Sequence, residues 1–302
     1  MTADAIRQVR RFSRTVTEGL QVLDDNFLGR ARPLGESRLL WEIGTNDVEL
    51  RSLRQRLALD SGYVTRVLQS LERQRLVRVS SSRTDRRVRI ASLTARGRRE
   101  WRILDRRSDA RARAILEPVP PSQRGALVSA MAEVERLLQA SMVRFEIEDP
   151  NGADARWCLR QYFSELRQRF EAGFDPARGL PADAAELTPP QGAFVVARLR
   201  GRAVGCGGFQ RHGRASVSIR RMWIAPEVRG LGLGARMLAE LERHARARGA
   251  RIVRLETNRA LKEAIALYRQ SGYREVRAFN DEPYAHHWFE KRLPRRRDDC
   301  GL

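Results

Sequence analysis

The first part of the chain repeats apolar residues at three- and four-residue steps. Ile6, Val9, Phe12, Val16, Leu20 and Leu23 make one such stripe, the mark of one face of a long helix. The same spacing predicts helices over 36–44, 48–57 and 60–74. In the last of these, Val64, Val67, Leu68 and Leu71 form the buried face, and Asp60 or Ser61 is the N-cap. The period then changes. In "LVRVSSSRTDRRVRIASL", residues 76–93, two short β-like runs flank a polar, arginine-rich tip, as in a hairpin. Helical periodicity returns over 94–116, breaks at "EPVPPSQ", and resumes to about 140.

Beyond that point the texture is different. A strand pattern at 142–148 meets the turn signal Asp149-Pro150-Asn151-Gly152. A helix over 153–171 and a Gly/Pro-rich loop over 172–192 follow. Strands are predicted at 193–199, 203–210 and 215–224, then a helix at 231–248, a strand at 251–256, a helix at 261–271, and strands near 274–278 and 286–292. Alternation of this kind reads as α/β or α+β. The boundary is placed at 141, giving domains 1–141 and 142–302, and 302 residues suit two domains of ordinary size.

Charge adds the question of a partner. The 58 basic residues include only two lysines, Lys262 and Lys291, against 37 acids, for a formal charge of +21. Such a balance invites a polyanion: nucleic acid, an anionic cofactor, or both. The two domains carry +11 and +10, so charge alone does not assign the nucleic acid to either. Cys158, Cys206 and Cys300 lack zinc-ligand spacing. They read as buried or free thiols of a cytoplasmic protein with no metal. No apolar run approaches membrane-spanning length.

The stretch "MWIAPEVRGLGLGARML", residues 222–238, places three glycines where a strand turns into a helix. Helix N-termini expose unpaired amides that bind phosphate, and glycine lets an anion reach them. Leu233, Met237, Leu238 and Leu241 supply the buried face of the helix. There is no G-K-S/T, and the glycine spacing does not fit G-x-G-x-x-G. The segment instead resembles the GNAT acetyltransferases, whose coenzyme A signature Q/R-x-x-G-x-G/A falls on Arg229-Gly230-Leu231-Gly232-Leu233-Gly234. Downstream, Ala264, Leu267, Tyr268, Gly272 and Tyr273 match the family's A-x-x-L-Y-x-x-x-G-F/Y, and "FNDEPYAHHWFEKRL" resembles its terminal strand.

The resemblance implies acetyl-CoA as co-substrate. Its pyrophosphate would lie on the amides of Arg229 to Gly234 and the adjoining Ala235, and its pantetheine arm along Met222, Trp223 and Ile224, with Asn258 on the neighbouring strand end. Tyr268 would protonate or hydrogen-bond the leaving thiolate, as acyl transfer to an amine requires. Many relatives carry a glutamate in an E-I-K-R-M pattern; here the residues are Ser218-Ile219-Arg220-Arg221-Met222. Glu256, directly or through water, is the candidate base; a structural Glu256 and deprotonation by solvent remain open. Tyr284 and His286 fall where the family lines the acceptor mouth.

In the first domain, Ser61, Tyr63, Thr65 and Arg66 lie away from the apolar back of the 60–74 helix, as on a recognition helix. The hairpin strongly resembles the wing of the MarR regulators, in Leu71, Glu72, Leu76, Val77, Asp85, Arg87, Leu93, Thr94 and Gly97. Gln74-Arg75 stands where that family usually has Lys-Gly. The resemblance implies that Arg86 or Arg87 borders the minor groove, that Asp85 helps to hold it, and that the outer helices form a dimer. The expected fold is multidomain: a mainly α winged helix-turn-helix followed by an α/β (α+β) GNAT domain. The expected function is a dimeric regulator of double-stranded DNA with a near-palindromic operator that also acetylates an amine. The alternative is a regulator whose second domain only senses acetyl-CoA or another small molecule.

Overall fold

A computed structural model describes residues 2–19, 27–29, 32–44, 46–57, 59–82, 84–171, 173–179, 183–213 and 215–294. Leu20, Leu23 and Cys300, singled out above, lie outside the described residues. The chain divides into two compact units, Met1–Glu133 and Val134–Leu302.

In the first unit, α1 (Ala3–Gly19) and α2 (Leu34–Ile43) are followed by a short strand, β1 (Val48–Glu49), and by α3 (Leu50–Leu57). Helix was expected from residue 48. The β-branched Val48 instead pairs with Ala91 as the third strand of the small sheet, and the helix starts two residues later. Helix α4 (Ser61–Arg73) is N-capped by Asp60, whose carboxylate accepts the Tyr63 N–H at 3.0 Å. The hairpin forms as β2 (Val77–Ser81) and β3 (Arg89–Leu93), in sheet order β1-β3-β2.

Two residues explain how the hairpin is held. Arg75 has φ 58°, the left-handed conformation that a glycine adopts without cost. Thr94 N-caps α5 (Ala95–Leu116) by accepting the Gly97 N–H and donates to the Arg75 carbonyl at 2.7 Å. A Cβ on Gly97 would stand 1.9 Å from the Leu76 carbonyl oxygen, so only glycine fits there. Leu39, Leu40, Leu53, Leu68, Leu71, Leu76 and Leu104 make the core of this unit. Helix α6 (Pro121–Ser141) contains the division between the units.

The second unit is a seven-stranded mixed sheet, β4-β5-β6-β7-β8-β10-β9. Its strands are β4 (Arg144–Ile147), β5 (Gly192–Leu199), β6 (Arg202–His212), β7 (Ser216–Ile224), β8 (Ile252–Thr257), β9 (Arg274–Val276) and β10 (His287–Arg292). Helices α7 (Ala153–Arg169), α8 (Leu233–Ala247) and α9 (Lys262–Gln270) complete it. All neighbouring strands are antiparallel except β7 and β8. That parallel pair is in register only over Ser216–Ser218 against Ile252–Arg254. Beyond Ser218 the two strands part, and the sheet opens between them.

A bulge marks the place. The β6–β7 register shifts so that Arg221 and Met222 together oppose Gly207, and Arg221 takes φ 55°. An extra residue in one strand kinks it and re-aims its side chains. Among the described residues no helix is long and apolar enough to cross a membrane, and no cluster of His, Cys, Asp or Glu could hold a metal ion.

Candidate active site

The glycine stretch follows the end of β7, beyond the part of the strand that has left β8. Gly230 and Gly232 both have left-handed φ, 75° and 73°. Gly232 is the N-cap of α8 and makes no side-chain cap bond. The first intrahelical bond is donated by the Arg236 N–H to the Gly232 carbonyl at 3.1 Å, so the amides of Leu233, Gly234 and Ala235 have no acceptor within the helix. Leu233 is buried and Leu231 packs on the core, which turns the intervening backbone outward. Nothing lies within 4 Å of where a Cβ on Gly232 would be. This cradle of bare amides at a helix start fits a phosphate group.

Arg229, at the head of the loop, has a different place from its neighbours. Its Nε donates to the Ile224 carbonyl at 2.8 Å, and its Nη2 to Glu165 of α7. Glu165 also accepts from the Trp223 indole at 2.9 Å and pairs with Arg169. These bonds hold the Glu165 carboxyl below its ordinary pKa against the opposing effect of burial. The loop is thus strapped to the end of β7 and to α7 through its side chain. Glu165 had no signal in the sequence, because its partners lie 58 and 64 positions away.

Next to the last paired residues, the parting strands line a cavity of about 140 Å³, together with α7, α9 and the loops before β5 and β10. Met222, Glu256, Asn258, Tyr268 and Tyr284 all line it. His286 does not; it is exposed, and its backbone N–H donates to the Thr257 carbonyl at 2.9 Å. Ser218, where relatives carry the glutamate, is buried among the three paired positions and is also off the lining.

Tyr268 is 7% exposed, and burial pushes its phenol well above the ordinary tyrosine range. It therefore stays protonated and keeps an O–H to donate. Glu256 sits opposite a cation. Arg220 Nη1 donates to its Oε1, and the Asn280 amide donates to its Oε2 at 3.3 Å. Arg220 also approaches Glu282 to 4.0 Å. Burial raises the Glu256 pKa, and the arginine beside it opposes the rise. Asn258 is a spacer: its amide donates to the Tyr284 carbonyl at 2.8 Å and its oxygen accepts the Ala260 N–H.

In the first unit, Ser61, Tyr63, Thr65 and Arg66 are exposed along the start of α4. Tyr63 leans back on α2, for its hydroxyl stands 2.0 Å from where a Cβ on Gly35 would be. Asp85, Arg86 and Arg87 are exposed at the hairpin tip. Asp85 accepts the Arg87 backbone N–H at 2.9 Å, so it shapes the turn that presents the arginine.

Residues 159–273 match the model of the acetyltransferase (GNAT) family. The chain is 36% identical over 103 residues to the IAA acetyltransferase of Azospirillum brasilense, covering 34% of this chain and 66% of that protein's length. It is 30% identical over 139 residues to the uncharacterized N-acetyltransferase YjgM of Escherichia coli, covering 45% of this chain and 82% of the relative. A crystal structure of Streptococcus pneumoniae FabT in complex with DNA superposes with a TM-score of 0.40 at 22% identity, over 44% of this chain and 97% of that one. The extent and identity of the YjgM match, together with the glycine cradle at the head of α8, place this chain in the GNAT acetyltransferase family.

Proposed function

We propose that the second unit transfers an acetyl group from acetyl-CoA to an amine, and that the first is a MarR-like winged helix-turn-helix that binds double-stranded DNA as a homodimer. The observation that carries the first half is the parting of β7 and β8, with a cavity walled by Tyr268 and Glu256 beside the parted strands and the amide cradle following the end of β7. Acetyl-CoA, when bound, supplies the thioester. The amides from Gly230 to Ala235 would hold its pyrophosphate, whereas that of Arg229, expected to share in this, is already donated to the Pro226 carbonyl at 3.2 Å; the gap-facing edge of Met222, Trp223 and Ile224 would pair with its amide-bearing arm.

Tyr268 would donate a hydrogen bond to the departing sulfur. A thiol is a stronger acid than this buried phenol, so full proton transfer from Tyr268 runs uphill and the stabilisation comes from the bond itself. Glu256 would receive the ammonium proton, directly or through one water, with Arg220 keeping it charged in a buried place. A second reading has a specific support: Glu256 is already paired, and Ser218 replaces the family glutamate. On it the unit senses acetyl-CoA without turnover and tunes DNA binding. Thiol release from acetyl-CoA, followed across small amines, amino acids and basic proteins, separates the two. Release with one amine class establishes the enzyme; tight binding of acetyl-CoA with no release for any amine establishes the sensor.

The DNA half rests on the exposed face of α4 and the arginine tip beside it. A two-fold dimer reads half-sites about one helical turn apart, so the operator is expected to be nearly palindromic. Selection from a random duplex library tests this, and recovery of sites without symmetry would overturn it. Reduced Cys158 and Cys206 suit a cytoplasmic location.

A further inference from the structure

Four consecutive residues of β7, Ile219 to Met222, line the cavity. A regular strand cannot do this, because its side chains alternate between faces. The bulge opposite Gly207 and the left-handed Arg221 break the alternation and bring two guanidinium groups to one wall. A non-glycine residue with positive φ is costly and is kept where surrounding structure demands it.

The two cations differ. Arg220 is held between Glu256 and Glu282. Arg221 lies over the face of Phe163, 4.9 Å from the ring centroid. The ring lies on one side of that guanidinium, which has other contacts besides. Five donors let it keep its present contacts and still grip a carboxylate. Burial works against its charge, so an anion at this place would be welcome.

Behind Arg221 the wall is aromatic. Phe163 stacks on Phe174, and Phe174 meets Phe170 and Tyr284, with centroids 4.9–5.9 Å apart. This wall is tied in place: the Tyr284 hydroxyl accepts the Asp175 N–H at 2.9 Å and reaches the Asp175 carbonyl at 3.3 Å. The space is small. About 140 Å³ is room for roughly ten water-sized positions.

Resting on the acetyl-transfer reading, we propose that the acceptor is a single aromatic amino acid: its amine at Glu256, its carboxylate on Arg221, its ring against the Phe163–Phe174 wall. The new N–C bond forms as the thioester C–S bond breaks. Of the two protons the ammonium gives up, one leaves through Glu256 to solvent and the other ends on the thiol sulfur. A polyamine or a basic peptide would carry a second cation towards Arg221 and is disfavoured.

The test uses the full-length protein. Thiol release is measured with L-phenylalanine, phenethylamine, L-alanine, spermidine and a lysine peptide, and calorimetry follows L-phenylalanine binding to the protein–CoA complex. Phenylalanine should exceed phenethylamine in kcat/KM by about 10- to 100-fold, the value of a charge-assisted carboxylate contact, and alanine by roughly 100-fold from burial of the ring. Arg221→Gln should bring the phenylalanine-to-phenethylamine ratio close to one, and Phe174→Ala should lower the phenylalanine-to-alanine ratio. The wild-type panel decides even where a variant does not fold. Spermidine or the lysine peptide as best substrate, or equal rates for phenylalanine and phenethylamine, overturns the proposal. Release with another amine and no phenylalanine binding removes this acceptor and leaves acetyl transfer standing. Phenylalanine binding without release keeps the pocket assignment and removes the transfer reading. Neither binding nor release with any amine overturns both.

Discussion

The two units close their cores in opposite ways. In the second, Ala193 to Ala197 of β5 are wholly inaccessible, a run of five that only a strand covered on both faces can show. In the first, α1 has no buried residue, and Ile6, Val9, Phe12 and Val16 are 38–65% exposed along one stripe. A helix amphipathic without burial has its apolar side directed at something outside its own fold. The first unit thus brings an unfinished face and the second an internal cavity. This matches the proposed division of labour, in which one unit acts through association and the other on a small molecule.

The contrast can be broken at several points. The largest effect is expected from Val9→Asp with Phe12→Asp. Two buried apolar side chains per subunit, counted twice by symmetry, amount to roughly 6–12 kcal/mol of association. Light scattering should show monomers that no longer retain operator DNA, with acetyl-CoA affinity unaltered; a dimer that persists would remove α1 from the interface. On the other side, Gly234→Val should weaken acetyl-CoA by roughly 100-fold or more, the loss of about two charge-assisted hydrogen bonds, and leave DNA binding alone. At Gly232 the φ of 73° would strain any substituent, and at Gly234 a Cβ would stand 3.1 Å from the Leu267 side chain, which must give way for the variant to fold. An unchanged thermal shift with acetyl-CoA would refute the cradle.

Tyr268→Phe should lower kcat by about 10- to 100-fold, the value of one hydrogen bond to a developing charge, at nearly constant acetyl-CoA affinity. The pH profile follows from the directions of the two shifts. Because burial raises the phenol, kcat should show no alkaline loss from Tyr268 up to about pH 10. Because burial also raises Glu256, kcat/KM should fall with decreasing pH on a limb lying above the ordinary carboxylate range of about 4.3. Glu256→Gln should abolish that limb. On the DNA side, Arg66→Ala should cost roughly 1–3 kcal/mol and relax sequence preference. Arg87→Ala should weaken all sequences alike and reduce the salt slope; equal behaviour of the two variants in a binding titration would merge their roles. The smallest effect is Arg75→Gly, which relieves a left-handed arginine and should stabilise by about 0.5–1 kcal/mol in denaturant unfolding.

What the chain announced was what is local. The Asp60 cap, the hairpin, the glycine turn and the buried face of α8 each need only a few neighbouring residues, and all formed within two residues of their expected limits. The short β1 was missed because two residues carry no periodicity, and only Ala91 and Ile90 make them a strand. The bulge at Arg221 had no glycine or turn residue to advertise it; the kink comes from register with β6. The aromatic wall joins Phe174 to Tyr284 across 110 positions, and the arginine flanked by Glu256 and Glu282 spans three segments. Such clusters exist only once the sheet has folded.

The brief contact between β7 and β8 has a consequence in time. Among the described residues, the backbone seam between the β4–β7 half of the sheet and the β8–β10–β9 half is three paired positions, with the Arg251 and Ile252 N–H groups donated to the Ala215 carbonyl beside them. From Ile219 onward, β7 is bonded to β6 along one side and faces the opening on the other. Amide protons there should split into two populations, slow where they are donated to β6 and fast where they point into the opening. A ligand lying in the opening serves as a substitute strand, so the fast population should slow while its neighbours hardly change. Deuterium uptake, residue by residue, then gives a footprint of occupancy that needs no turnover and no knowledge of the acceptor.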